Sequence, residues 1–415
     1  MQYITEMAIE CNWDGVVKMR DERRFRVAMF GHKRIPSREG GIEVVVEELA
    51  TRMVQRGCTV TCYNRVDHHV SGAEFDAETR NAYRGIRLKS VPTISGKGLA
   101  AVSSSFFAAV CCAFGRYDVV HIHAEGPALF CWIPKLFRKR VICTIHGIDW
   151  RRAKWGRFAG SYIKCGEMAA VKYADEMIVL SEGLQKYFMD AYGRRTVFIP
   201  NGVNRPVPCS PQLIKEKFGL DKDGYILFLG RLVPEKGIKY LIEAFRRVRT
   251  DKKLVIAGGS SDTDTFVQEL EKLAEGDDRV VFTGFVQGKM LEELYSNAYV
   301  YTLPSDLEGM PLSLLEALSY GNCCLVSDIA ECSEVVEDKA MFFRKSDSDD
   351  LGRKLQYVCD HPDEVNRLKG ETADFICTKY SWDSVVEKTL KVYGKQMELR
   401  PGECVSEGYG KRNMG

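Results

Sequence analysis

The stretch Glu308-Gly309-Met310-Pro311-Leu312-Ser313-Leu314-Leu315-Glu316 joins an apolar run, YVYTLPS, to an apolar helical pattern over 312–318. Glu308 stands before that helix and Glu316 within it, so the two carboxylates mark two depths of one pocket. Backbone N–H groups at a helix start, expected here over Gly309–Leu312, can hold anionic oxygens, and a carboxylate deeper in accepts hydrogen bonds from hydroxyls. A second group follows the run YILFLG, which ends at Gly230. Arg231 comes next, then the turn Pro234-Glu235-Lys236-Gly237. A guanidinium fork and a lysine point charge around one turn can converge on a single diphosphate. For those two residues alone, a solvated charged loop is the plainer reading. In the N-terminal half, the run FRVAMF ends at Gly31-His32-Lys33-Arg34 and its loop closes with Gly40-Gly41. Glycines before a helix let amides approach a phosphate. A tight turn would use the same residues, and the spacing is not G-x-G-x-x-G.

The elements that must carry these residues alternate. Strand-like runs occur at 25–30, 58–63, 119–121, 141–145, 177–180 and 197–199, with helical periodicity between them, as over 42–56. A second series occurs at 225–229, 254–257, 280–282, 298–303 and 324–326. Apolar strands separated by helices predict an α/β fold of parallel sheets covered on both faces, and ligands of such sheets bind beyond the carboxyl ends of the strands. Between the series lies NRPVPCSP (204–211), with three of the chain's 13 prolines, the best linker in the sequence. The expected organisation is therefore an extension over 1–23, a first Rossmann-like domain over 24–204, a second over 212–382, a helix over about 383–399 crossing back to the first domain, and a tail over 400–415.

With 415 residues, 45% hydrophobic and 28% charged, the composition excludes collagen-like, disordered and disulfide-scaffold classes and suits two domains. Net charge is +2, but residues 1–205 hold 31 Lys+Arg against 21 Asp+Glu, and the remainder 28 against 36. The basic half suits an anionic ligand or an anionic membrane surface. Lys135–Arg140 (KLFRKR) and the Arg151–Arg157 segment with Trp155 are the expected contacts, and simple solvated helix ends are the alternative. Aromatics are not interleaved with a sustained basic stripe, so no nucleic-acid partner is expected. Fifteen cysteines, an odd number without Cys-x-x-Cys, read as reduced thiols in a cytoplasmic protein. The most apolar stretch, Leu99–Phe114, has 16 residues, short of the roughly 20 that span a bilayer. Acidic residues at 6, 10 and 14 interrupt any signal-peptide core.

No metal is expected. Asp262-x-Asp264 and Asp347-x-Asp349 precede helical patterns, where Asp is an ordinary N-cap. His121-x-His123 lacks a third ligand at a telling spacing. His146 differs, because its His-Gly follows a strand end and points to the cleft.

Together, GRLVPEKGI, VVFTGFV, YTLPSDLEGMPLSLLEALSYG and SDI (327–329) resemble the family-4 retaining glycosyltransferases of the GT-B fold. RIPSREGGIE (34–43), HIHAEGPALF and TIHGIDWRRAKWG resemble the bacterial polysaccharide branch that includes rhamnosyltransferases, with Arg34 and Glu39 departing from that branch's Gly and Tyr. The resemblance implies two Rossmann-like domains facing across a cleft. Arg231 and Lys236 would neutralise a nucleotide diphosphate, Glu316 would bind the ribose, and Glu308 would face the donor sugar. The backbone at Phe285 and Val286 would read the base. Gly40 and Gly41 would lie against the diphosphate, and His146 would approach the sugar. Gly309, Met310, Pro311 and Leu312 would complete the donor site. It further implies retaining, metal-independent transfer of a hexosyl or deoxyhexosyl unit, with no cofactor. The donor would be a UDP-, TDP- or GDP-sugar and the acceptor a glycan or lipid-linked saccharide, on the cytoplasmic face of a membrane. Two alternatives stay open on the residues alone: a nucleotide-sugar epimerase of similar architecture, or a non-catalytic nucleotide-sugar-binding protein.

Overall fold

In the computed structural model, which describes residues 24–66, 81–96, 98–151, 156–259 and 264–394, the apolar runs become strands buried on both faces. This is the pattern of parallel sheets sandwiched between helices. The first sheet contains β1 (Arg26–Phe30), β2 (Thr59–Arg65), β3 (Ala82–Tyr83), β4 (Ile86–Val91), β5 (Val119–His123), β6 (Arg140–Ile145), β7 (Glu176–Val179) and β8 (Val197–Phe198), in the order β3-β4-β2-β1-β5-β6-β7-β8. Every pairing is parallel except β3 with β4. The second contains β9 (Tyr225–Leu229), β10 (Lys253–Ala257), β11 (Val280–Gly284), β12 (Val300–Leu303), β13 (Cys323–Ser327) and β14 (Met341–Phe343), all parallel, in the order β11-β10-β9-β12-β13-β14.

Strands β3, β4 and β14 are absent from the sequence-based expectation. In β4 the exposed Arg87, Lys89 and Ser90 interrupt Ile86, Leu88 and Val91, so its one buried face lacked a continuous apolar run. Strand β14 is only three residues long.

The strand order reverses at β1/β5 in the first sheet and at β9/β12 in the second. Crevices for ligands open at such switch points. The residues just past β1, β9 and β12 are Gly31-His32, Gly230-Arg231 and Pro304-Ser305, so topology alone brings the candidate residues to the carboxyl edges.

The helix Trp382–Gly394 places Trp382, Val385, Val386, Val392 and Tyr393 in the core of the first sheet, against Phe25, Val46 and Leu49. Outgoing and returning segments run side by side at the domain junction, where Val203 N–H donates to Tyr380 O at 2.8 Å. Gly202 is required there, since a Cβ on it would lie 2.5 Å from the Trp382 ring. The 13 described cysteines are all free thiols. Among the described residues, no helix is long and apolar enough to cross a membrane.

Candidate functional site

On the first domain the site begins where β1 ends. Gly31 has φ +110°, and a Cβ there would sit 2.0 Å from the carbonyl oxygen of His123, so the chain can turn past β5 only with glycine. Asn64 at the end of β2 pins the following loop. Its side chain accepts from Ile35 N–H at 3.1 Å, donates to Ile35 O at 3.0 Å, and meets His32 Nε2 at 3.1 Å. His32 is buried, and that burial pushes its pKa down to about 4, so it is a neutral structural imidazole. Glu43, in the first turn of the helix Gly41–Gln55, reaches back to accept from Lys33 N–H at 2.9 Å. Gly40 leaves room for it, as a Cβ there would stand 2.5 Å from Glu43 Oε2.

On the second domain, Lys236 Nζ donates to Glu308 Oε1 at 2.5 Å, and Ser305 Oγ donates to the same oxygen at 2.6 Å. Lys236 and Glu308 are both buried. Arg231, half-buried in the same loop, has no side-chain partner among the described residues. Deeper in, Glu316 Oε2 accepts from Tyr295 OH at 3.1 Å. Burial raises the Glu316 pKa, while Arg38 of the other domain and the Tyr295 hydroxyl pull it back down. Phe285 and Val286 follow β11 on the same carboxyl edge, with Val286 turned into the core.

Three contacts join the two halves at the site. A Cβ on Gly41 would lie 3.3 Å from Leu312 Cδ1, and one on Gly309 would lie 1.7 Å from His146 O. Asn201, just past β8, directs its N–H at Met310 Sδ (3.0 Å) and its amide at Met310 O (3.4 Å). The side chain of His146 meets His123 Nδ1 at 3.2 Å. Gly40, Gly41, His146, Gly309, Met310 and Leu312 thus come together at the interdomain cleft, with Arg231, Lys236, Glu308 and Glu316 on its second wall. Asn201, Asn64, Glu43 and Ser305 escaped sequence reasoning. Asn201 stands in Pro-Asn-Gly, a sequence that signals a turn and nothing more.

The structure adds detail at several of these residues. The helix begins at Leu312 with Pro311 as its N-cap, and Pro311 has no N–H, so Gly309–Leu312 is not a continuous row of donors. Lys236 is held by Glu308 and does not stand as an unattached charge, because the turn after β9 packs it against Ser305 and Glu308. The basic run 135–140 is largely engaged within the protein: Lys135 pairs with Asp175, Lys139 Nζ donates to Gly115 O, and the Arg140 guanidinium is buried, donating to Val392 O at 2.7 Å. His121 is held on both ring nitrogens, by Tyr393 OH and Thr144 Oγ1, each at 2.7 Å. Asp347 caps its helix, accepting from Asp349 and Asp350 N–H. Asp262, Arg152, Lys154 and Trp155 lie outside the described residues.

The Lys236–Glu308 pair carries a stability prediction. Lys236→Met leaves a buried carboxylate with one hydroxyl donor, a change that costs about 3–5 kcal/mol in buried pairs. The expected result is a lower denaturant midpoint for Lys236→Met, with Lys236→Met/Glu308→Gln recovering most of the loss. Equal midpoints for wild type and Lys236→Met would refute the structural role.

Residues 39–205 match the Glycosyltransferase Family 4 model and residues 211–374 match Glycosyl transferases group 1, so each domain is matched separately. An uncharacterized glycosyltransferase of Methanocaldococcus jannaschii is 32% identical over 68% of this chain and 77% of its own length. The chain belongs to glycosyltransferase family 4. This family-4 glycosyltransferase is also 25% identical to the alpha-maltose-1-phosphate synthase of Mycolicibacterium smegmatis, over 89% of this chain and 99% of that one. Its two-domain GT-B fold is shared with the sucrose-phosphate synthase of Thermosynechococcus elongatus (TM-score 0.76, 18% identity, 91% of this chain and 100% of that one). Anabaena HepE in complex with UDP-glucose has the same fold (TM-score 0.73, 15% identity, 90% and 100%).

Proposed function

We propose that this chain moves a sugar from a nucleoside diphosphate donor to a glycan or lipid-linked saccharide, with retention at the anomeric carbon, in the synthesis of a bacterial cell-surface polysaccharide. One observation carries the donor assignment: Arg231 is half-buried at the β9/β12 switch point, its side chain without a partner among the described residues, beside the buried Lys236–Glu308 pair. A guanidinium so placed awaits an anion. In this reading Arg231 takes the diphosphate together with the Leu312 and Ser313 amides, and Lys236 adds its charge from behind Glu308. Glu316 takes the ribose hydroxyls, Phe285 and Val286 read the base, and Gly40 and Gly41 lie against the phosphates. A nucleoside diphosphate becomes a good leaving group once its charge is stabilised, so electrostatic clamping is the main demand on the site.

The anomeric C–O bond to phosphate breaks while the acceptor oxygen attacks the same face, and the acceptor proton passes to the departing phosphate oxygen. Glu308 Oε1 already accepts from Lys236 and Ser305, which suits a carboxylate that stabilises positive charge on the sugar and not one that attacks it. His146 reaches the sugar from the first domain. Relatives named for sugar transfer, and HepE with UDP-glucose, support this reading.

The test is metal-free binding of UDP, TDP, GDP and ADP. One nucleotide is expected to bind wild type, and Arg231→Ala is expected to weaken it roughly 10- to 100-fold, the worth of a lost charged hydrogen bond. Its melting temperature should stay unchanged, since the side chain supports nothing else. Binding of none of the four, or equal binding by Arg231→Ala, would overturn the assignment.

A further inference from the structure

The helix Leu99–Phe114 is built inside out for one that only covers a sheet. Its buried face carries small residues, Ser104, Ser105, Ala108, Ala109, Cys112 and Ala113. Two of its large residues point outward, Phe106 being 41% and Phe114 73% exposed, while Phe107 and Val110 rest partly on the core. The segment packed beside it repeats the pattern. Trp132 is 40%, Leu136 71% and Phe137 46% exposed. The rings form one surface, with Phe114 and Phe137 centroids 4.7 Å apart and Phe106 5.7 Å from Phe130. Isolated exposed apolar residues need no explanation, but a contiguous aromatic and aliphatic patch marks a contact surface.

The surroundings indicate what the patch contacts. Residues 91–117 and 126–148 contain no Asp or Glu. At the Phe114/Phe137 end, Arg116 and Arg138 are exposed and, among the described residues, form no ion pair, while Lys139 is held by the carbonyls of Gly115 and Tyr117 and lies in the field of Asp118. Aromatic side chains flanked by two exposed arginines suit the boundary between acyl chains and anionic headgroups, where the rings enter and the guanidinium groups remain at headgroup level. We propose that the face formed by Leu99–Phe114 and Phe130–Phe137 docks on an anionic lipid bilayer, with Phe114, Leu136 and Phe137 inserted and Arg116 and Arg138 at the phosphates. This places the contact on an apolar tip of the first domain and not on the run 135–140 as a charge cluster, most of which is engaged internally. The inference stands independently of the donor chemistry.

The test is co-sedimentation of the full chain with vesicles of phosphatidylglycerol and phosphatidylcholine in equal parts, and with phosphatidylcholine alone. Wild type is expected to bind the anionic vesicles, less strongly as salt rises. Phe114→Ser/Leu136→Ser should lower the partition at least tenfold, and Arg116→Glu/Arg138→Glu should abolish the preference for anionic lipid, each basic group being worth roughly fivefold. Both pairs are surface changes, so circular dichroism and melting temperature should match wild type. Failure to bind anionic vesicles would overturn the proposal, as would equal partition of wild type and Phe114→Ser/Leu136→Ser. It would also fall if sedimentation showed wild type to be a dimer that this double variant dissolves, because the patch would then serve a second copy of the chain.

Discussion

Gly309→Ala is expected to abolish sugar transfer while leaving both domains folded. A Cβ at this position would stand 1.7 Å from the His146 carbonyl oxygen and 3.3 Å from Gly147 Cα, both backbone atoms of the opposite domain. No rotamer change relieves a backbone clash, so the two carboxyl edges must separate. Leu312 would then leave Gly41, and Met310 would leave Asn201. The donor groups lie on one domain and His146 on the other, so separation removes the sugar-facing group from the diphosphate site. Misplacement by about 1 Å can cost on the order of 100-fold in rate. Nucleotide binding should fall much less, since Arg231, Lys236, Glu308 and Glu316 all belong to the second domain. Transfer and nucleotide affinity measured on the same preparation, with solution scattering for domain separation, check this. Full activity in Gly309→Ala would mean that the arrangement described here is not the reacting one.

That contact shows which parts of the molecule a single sequence could reveal. Strands such as VVHIH and YILFL were legible because burial on both faces turns them into continuous apolar runs, and glycine with proline marks where they end. The carboxyl-edge rule then placed Gly31, Arg231 and Glu308 near a ligand before any coordinates. Pairings between the domains were not legible. Gly309 reads as an amide donor at a helix start, and nothing local says that His146 O will lie against it. Glu308 and Glu316 read as two depths of a pocket, yet that Lys236 and Ser305 hold one and Tyr295 the other depends on three strands meeting. The exposed face formed by aromatic residues of 106–137 was not legible, because periodicity shows that a helix has two faces without saying which is covered. Here the small residues point inward, which reverses the usual expectation.

The same limit hid a buried acid. Glu125 sits in HIHAEGPALF directly after β5 and is fully buried. Its Oε2 accepts from Asp149 N–H at 2.9 Å, and its carboxyl lies against that of Glu167. Glu167 in turn accepts from Trp150 Nε1 at 3.0 Å, Lys164 Nζ at 2.7 Å, Tyr187 OH at 2.9 Å and Tyr192 OH. The two carboxyls therefore brace the segment that leads from His146 to Trp150. Packing is tight, since a Cβ on Gly166 would lie 2.0 Å from Glu125 O. Two touching carboxyls cannot both ionise out of water. Glu167, with its cation and hydroxyl donors, keeps the charge and its pKa falls, while burial, with Asp149 and Glu167 adding to it, pushes Glu125 up to about 10.

The sign of the pH effect follows. Glu125 binds its proton more tightly folded than unfolded, so its contribution to stability is complete below about 4.5 and is lost as pH rises towards 10. Glu167 acts oppositely and only on the acid side of its ordinary value. Glu125→Gln supplies a permanent N–H donor to Glu167 and keeps an oxygen for Asp149 N–H, without the proton to lose. Its melting temperature should match wild type near pH 5 and exceed it increasingly towards pH 9, by up to about 1.4 kcal/mol per pH unit where Glu125 alone titrates. Glu125→Ala should lose stability at every pH, because Asp149 N–H is then left without its acceptor. Parallel pH profiles for wild type and Glu125→Gln would show that Glu125 is charged in the folded protein. The brace on the His146 segment would then have to be an ionic one, drawing on Lys164.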